Sequence, residues 1–129
     1  MQGEQLGDRW IASAAADINA SHIRTGLMTA DEQQQALDTA RELSRLPVYV
    51  DDNPKMGMDH IRSSARLLKS KGRCDCIIID YLQLCEMASG QKNRNREQEV
   101  AEASRKAKLM AKELGVPVIL LCQLNIDLF

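Results

Sequence analysis

Two positions in this 129-residue sequence sit where chemistry is done in α/β proteins. Asp80 closes the apolar run Ile77-Ile-Ile79. In open α/β sheets, ligands bind beyond the carboxyl ends of the strands. A carboxylate there can hold Mg²⁺, usually through water, because Mg²⁺ gives up its hydration shell reluctantly. An apolar strand closed by aspartate is the Walker B pattern of nucleotide hydrolases. The same residue can also simply cap the turn that follows a strand. Gln123 follows a second apolar run, Val118-Ile-Leu-Leu-Cys122, at the same sheet edge. A neutral amide there can touch a terminal phosphate and report its presence, or it can be a polar residue where the sheet meets water.

A third candidate is a local excess of positive charge. From Gln91 to Lys112 there are seven Lys and Arg against three Glu, a net of +4 in a chain whose formal charge is −1. Within it, Gln91, Lys92, Asn93, Arg94 and Arg96 combine long donors with amides and little bulk, which suits contact with phosphates. Arg105 to Lys112 read instead as a solvated helix face with ion pairs such as Glu102 to Lys106. Cys74 and Cys76 invite a metal reading on one face of a strand start. Structural zinc, however, prefers paired C-x₂₋₄-C ligands, and small buried hydrophobes are the simpler reading. Asp51 and Asp52 could bind a cation, but precede Pro54 as turn formers do. No G-x-x-x-x-G-K-[ST] occurs in these residues, so no phosphate-cradling loop is encoded in them.

The elements that must position these residues follow from periodicity and punctuation. Residues 4–17 read as a helix with Leu6, Ile11, Ala14 and Ile18 on one face, and residues 19–28 as a connector. Thr29 with Glu32 forms a capping box that starts a second helix, which stops before Pro47. Pro47-Val-Tyr-Val-Asp51 reads as a strand. A third helix runs from a Gly57 N-cap to Gly72. Residues 76–82 form an apolar strand of the kind covered on both faces. Residues 86–95 are a polar loop, 96–114 a long helix ended by Gly115 and Pro117, and 118–122 the last strand. Strands alternating with helices imply right-handed crossovers and a parallel sheet. Three strands make a small sheet against the usual ~5–6. Aromatics are 3%, too few for a base-stacking platform. No apolar run approaches the ~20 residues of a membrane helix. The start has no secretory character, and the four cysteines fit reduced thiols in a cytoplasm.

Read together, several segments resemble the bacterial replicative DNA helicase, DnaB. They are Ile23-Arg-Thr-Gly26, Leu46-Pro-Val-Tyr-Val-Asp-Asp52, Ile78-Ile-Asp-Tyr-Leu-Gln-Leu84, Arg94-Asn-Arg-Glu-Gln-Glu-Val100, Ala111-Lys-Glu-Leu-Gly-Val-Pro-Val118 and Gln123-Leu124. The resemblance is ordered and nearly gap-free over residues 1–125. It implies an α/β chain: a partial RecA-like (P-loop NTPase) fold of about three parallel strands with flanking helices, lacking the Walker A strand and loop. Residues 1–129 would be one partial motor domain running from Walker B to the sensor region. In such motors six domains ring single-stranded DNA with ATP between neighbours.

The resemblance also implies roles. Asp80 would be the Walker B aspartate that positions Mg²⁺, and Gln123 the sensor glutamine that links the γ-phosphate to the DNA loops. The loop from Ser89 to Arg96, with Gln91, Lys92, Asn93, Arg94 and Arg96, would face DNA. ATP and Mg²⁺ would be the parent's cofactors, with none bound by this segment alone. Single-stranded DNA, further copies of the chain and replication proteins such as primase would be its partners, in the cytoplasm and with no membrane. Met1 matches the methionine of the family's Ser-Leu-Glu-Met string, which places the chain's start just after the general-base glutamate. Ile126-Asp-Leu-Phe129 does not match the family. Lacking phosphate loop, base and fingers, the 129 residues are expected to show no ATPase of their own. The alternative expectation is a non-catalytic interaction module that associates with itself or with a helicase ring.

Overall fold

The computed structural model describes residues 2–15, 18–53, 57–80 and 96–121, and for residues 96 and 97 the backbone only. The chain divides into two compact units, Met1–Asp52 and Asn53–Phe129.

The first unit is helical. Helix α1 spans Gly3–Ala14, α2 Ala20–Thr25 and α3 Ala30–Leu43. The N-cap of α1, Gln2, gives no side-chain cap. The Gly3 N–H instead donates to Asp52 Oδ2 at 2.9 Å, so a carboxylate 49 residues away satisfies one of the open donors at the helix start. Helix α2 lies inside the expected connector. Asn19 caps it by accepting from the Ser21 N–H at 2.9 Å, and Gly26 ends it in the left-handed region at φ +72°. The capping box of α3 forms as read from sequence. Thr29 Oγ1 accepts from the Glu32 N–H at 3.2 Å, and the Thr29 N–H donates to Glu32 Oε2 at 2.8 Å. The Thr29 backbone N–H holds the Glu32 carboxyl below its ordinary value, with help from His22, whose Nδ1 lies 3.5 Å away. Thr29→Ala is expected to cost about 1 kcal/mol, as loss of an N-cap oxygen usually does. Chemical denaturation compared with Thr29→Ser, which keeps the oxygen, checks it. The unit's core is small: Ala15, Ile18 and Ala36 are buried, with Ile11, Ile23 and Met28 against them.

Residues 47–51 form no strand, contrary to the sequence reading. Pro47 has no N–H to give to a ladder. The Val48 N–H turns back to the Leu46 carbonyl at 2.8 Å. Val48, Tyr49 and Val50 are left half-exposed.

The second unit holds helix α4, Met58–Ser70, strand β1, Ile77–Ile79, helix α5, Arg96–Leu114, and strand β2, Val118–Leu120. The sheet among the described residues therefore has two strands rather than three. They run parallel, with Ile77, Ile78 and Ile79 opposite Val118, Ile119 and Leu120. The ladder extends by the Ile77 N–H to the Pro117 carbonyl at 3.0 Å and the Leu121 N–H to the Ile79 carbonyl at 2.9 Å. Gly72 and Gly115 stop α4 and α5 at φ +67° and +64°, where a side chain would be strained.

One face of the sheet packs on α4 and α5. Met58, Ala65, Cys74, Ile79, Ala103, Ala107, Met110 and Val116 are buried in one cluster, and Met110 is its most enclosed member at 1% exposure. The opposite face is open: Ile78 is 66% exposed and Ile119 47%. The apolar runs that suggested two covered faces thus have one covered face among the described residues. Outside the core, Glu113 joins α5 to α4. It accepts from Arg62 Nε at 2.7 Å and Nη2 at 2.6 Å, and also from Arg66. Desolvation pushes its carboxyl up, but the hydrogen bonds and charges of Arg62 and Arg66 outweigh this and hold it below its ordinary value.

Candidate functional site

The carboxyl edge of the sheet is where the two runs end. Asp80 directly follows β1, and its carboxylate is exposed to solvent. Side chains alternate along a strand. With Ile79 turned into the core, Asp80 shares the open side with Ile78. The Leu121 N–H bond to the Ile79 carbonyl brings the exit of β2 beside the exit of β1. This is the parallel, neighbouring arrangement that the sequence predicted for the ends of these two runs. Gln123 itself, and Gln91, Lys92, Asn93, Arg94 and Asn95 of the basic loop, lie outside the described residues. Arg96 opens α5.

Among the described residues, Asp80 has no hydrogen-bond or ion-pair partner, and no three His, Cys, Asp or Glu converge as a metal cage. A lone, hydrated strand-end carboxylate fits Mg²⁺ held through water and completed by phosphate oxygens, the usual manner for this ion. Among the described residues no second or third protein ligand stands with it to make a dedicated cage. Cys74 is buried in the core and Cys76 is exposed, so the pair does not share a face as expected and the small-hydrophobe reading holds for Cys74.

The structure also gives a role that sequence reading missed. Asp52 is the tertiary cap of α1 rather than only a turn former. Two local signals pointed there: Gln2 is a poor N-cap, and Gly3 is small enough for close approach. A Cβ built on Gly3 would stand 3.2 Å from Asp52 Oδ2.

The chain as a whole has counterparts among known proteins. The family model described as DnaB-like helicase C terminal domain matches residues 1–128. The chain belongs to this family. It is 41% identical over 125 residues to the replicative DNA helicase DnaB of Geobacillus stearothermophilus, covering 97% of this chain and 27% of that protein. To the DnaB of Mycobacterium intracellulare it is 42% identical over 115 residues, covering 89% of this chain and 20% of the relative. The chain thus spans about a fifth to a quarter of these DnaB proteins. Two solved structures match at a TM-score of 0.84 and 30% identity over 98% of this chain. One is an ATPase domain, of which 45% is covered. The other is a DnaB-like replicative helicase described with its interactions with primase, of which 30% is covered. The fold is therefore a partial RecA-like α/β motor fold, and β1 and β2 are two strands of a DnaB-type sheet.

Proposed function

We propose that this chain is a segment of an ATP-driven replicative DNA helicase motor that unwinds DNA 5′→3′ as a hexamer. The observation that carries the reading is Asp80, a solvated carboxylate at the end of a parallel strand whose neighbour exits at the same edge. In this reading Asp80 orients water around Mg²⁺. The ion, when bound with ATP, neutralises charge on the transferring phosphoryl group. Gln123 contacts the terminal phosphate and couples it to the DNA-facing loop. Gln91, Lys92, Asn93, Arg94 and Arg96 hold the backbone of single-stranded DNA by sequence-independent contacts. Primase is a partner by analogy with the helicase solved with it, and the cytoplasm is the compartment.

A second reading is favoured by the open sheet face. Ile78 and Ile119 form an apolar surface that suits a non-catalytic module binding itself or a helicase ring.

The purified chain is expected to show no Mg²⁺-dependent ATP turnover, with or without DNA, because its sequence holds no phosphate-cradling loop. Robust DNA-stimulated turnover by the purified chain would overturn this expectation. Fluorescence anisotropy with a labelled oligonucleotide tests the DNA contacts. Binding should fall steeply with salt, and replacing both Arg94 and Arg96 by Ala should flatten the salt slope by about 0.7 for each phosphate no longer neutralised. Salt-insensitive binding would remove the DNA role of the loop.

A further inference from the structure

Helices α2 and α3 meet at a histidine and a carboxylate. His22 of α2 places Nδ1 3.5 Å from Glu32 Oε1 on α3. The ring is partly exposed, but Nδ1 itself is shut off from water and has no hydrogen-bond partner among the described residues. A polar atom in that state costs free energy, because burial removes its water and nothing replaces it. Glu32 is engaged on its other side. Its Oε2 accepts from the Thr29 N–H at 2.8 Å and closes the capping box. One carboxylate thus serves two helices: one oxygen completes the start of α3 and the other meets α2.

The protonation of His22 decides the sign of this contact. A neutral ring brings at most a dipole to the carboxylate, and with its proton on Nε2 it brings a lone pair. The imidazolium brings an N–H and a full charge. No other carboxylate of the packed helices takes the place of Glu32. Among the described residues, Glu4 and Asp8 of α1 and Asp31, Asp38 and Glu42 of α3 form no ion pair with His22. The cations on these helices are Arg9, Arg24 and Arg41. Arg24 lies two residues from His22 and so on another side of α2, and Arg41 pairs with Asp38 at 3.2 Å.

We propose that His22 and Glu32 form a proton-operated latch between α2 and the start of α3, closed when His22 takes up a proton and open when it loses it. A histidine gains its charge below about pH 6.5. The latch therefore adds stability in mildly acid solution and loses it as the pH rises through the histidine range. Glu32 sets the lower limit. The Thr29 N–H, with His22 beside it, holds its carboxyl below the ordinary value against the pull of desolvation. Its share is present above the ordinary carboxylate range and is lost as the pH falls through the lowered value.

Trp10, the one tryptophan of the chain, lies on α1 in the first unit, so its fluorescence follows the unfolding of that unit in urea. In the purified 129-residue chain, the unfolding equilibrium constant read by Trp10 should rise from about pH 5 to about pH 8. The rise should reach up to about five-fold, the scale of a partly exposed ion pair. His22→Asn keeps a polar amide that cannot titrate, and should remove the rise. Glu32→Gln should remove it too, since glutamine can close a capping box but carries no charge. The two substitutions together should do no more than either alone. Circular dichroism checks the helices, and Glu32→Gln supplies the reading if His22→Asn unfolds the unit. His60→Asn, on α4 in the second unit, should leave the rise unchanged. A constant that ignores pH in the unsubstituted chain overturns the proposal. So does a rise that survives both substitutions. A rise removed by His22→Asn but kept by Glu32→Gln would show His22 titrating against another group, and equally overturns it.

Discussion

Met110→Ala is expected to remove about 2–5 kcal/mol from the second unit, the range for emptying a fully packed methionine site. Met110 is the most enclosed side chain of the cluster that joins α4, α5, β1 and β2. A thioether chain fills irregular space, and alanine there leaves a cavity lined by side chains that are already tightly engaged. Domains of this kind hold only about 5–15 kcal/mol in all, so the loss is a large part of what keeps α5 on the sheet. Met110→Leu conserves volume and should cost under about 1.5 kcal/mol. Leu109→Ala, next in sequence but half in water, should stay within about 0.5 kcal/mol. Urea titration of the three variants checks the order. If Leu109→Ala proved as costly as Met110→Ala, α5 would turn a different face to the core.

The inward face of α5 was legible in the sequence because it is periodic over many turns. Val100, Ala103, Ala107, Met110 and Leu114 recur at helical spacing, and all five belong to or pack against the core cluster. The capping box at Thr29 and Glu32 was legible for another reason: it is a local reciprocal pair that needs no tertiary partner. What escaped depended on distance or on brevity. Helix α2 has only six residues, too few for a periodic face, although Asn19 and Gly26 marked both its ends. The Asp52 contact with Gly3 crosses 49 residues and has no pattern in a window. Pro47 to Asp51 has strand composition but no ladder among the described residues, because composition records that a segment suits a sheet, not that a neighbour stands beside it. The same holds for Ile78 and Ile119, whose apolar character anticipates a covered face.

The candidate site divides in the same way. An apolar run with a terminal aspartate is readable as such, but a turn cap and a metal-positioning carboxylate look identical in sequence. A conservative substitution separates them. In a motor protein that carries this segment together with a phosphate loop, Asp80→Asn is expected to lower ATP turnover by about 100-fold or more, the scale on which loss of one preorganised electrostatic group acts. Asparagine is nearly isosteric with aspartate and forms the same local turn contacts, so the fold should melt with no more than about 0.5 kcal/mol of change. What asparagine lacks is the charge that, in the proposed role, would hold hydrated Mg²⁺. Turnover measured against Mg²⁺ concentration should therefore show the loss as a weakened metal dependence, partly recovered at high metal. A variant that melts early but keeps its Mg²⁺ dependence would identify Asp80 as a cap, and the nucleotide reading of this sheet edge would fail with it. The exposed setting of Asp80 makes this test clean. Its carboxylate has no partner among the described residues whose loss could mimic a metal effect, and its neighbour Ile79 remains seated in the core.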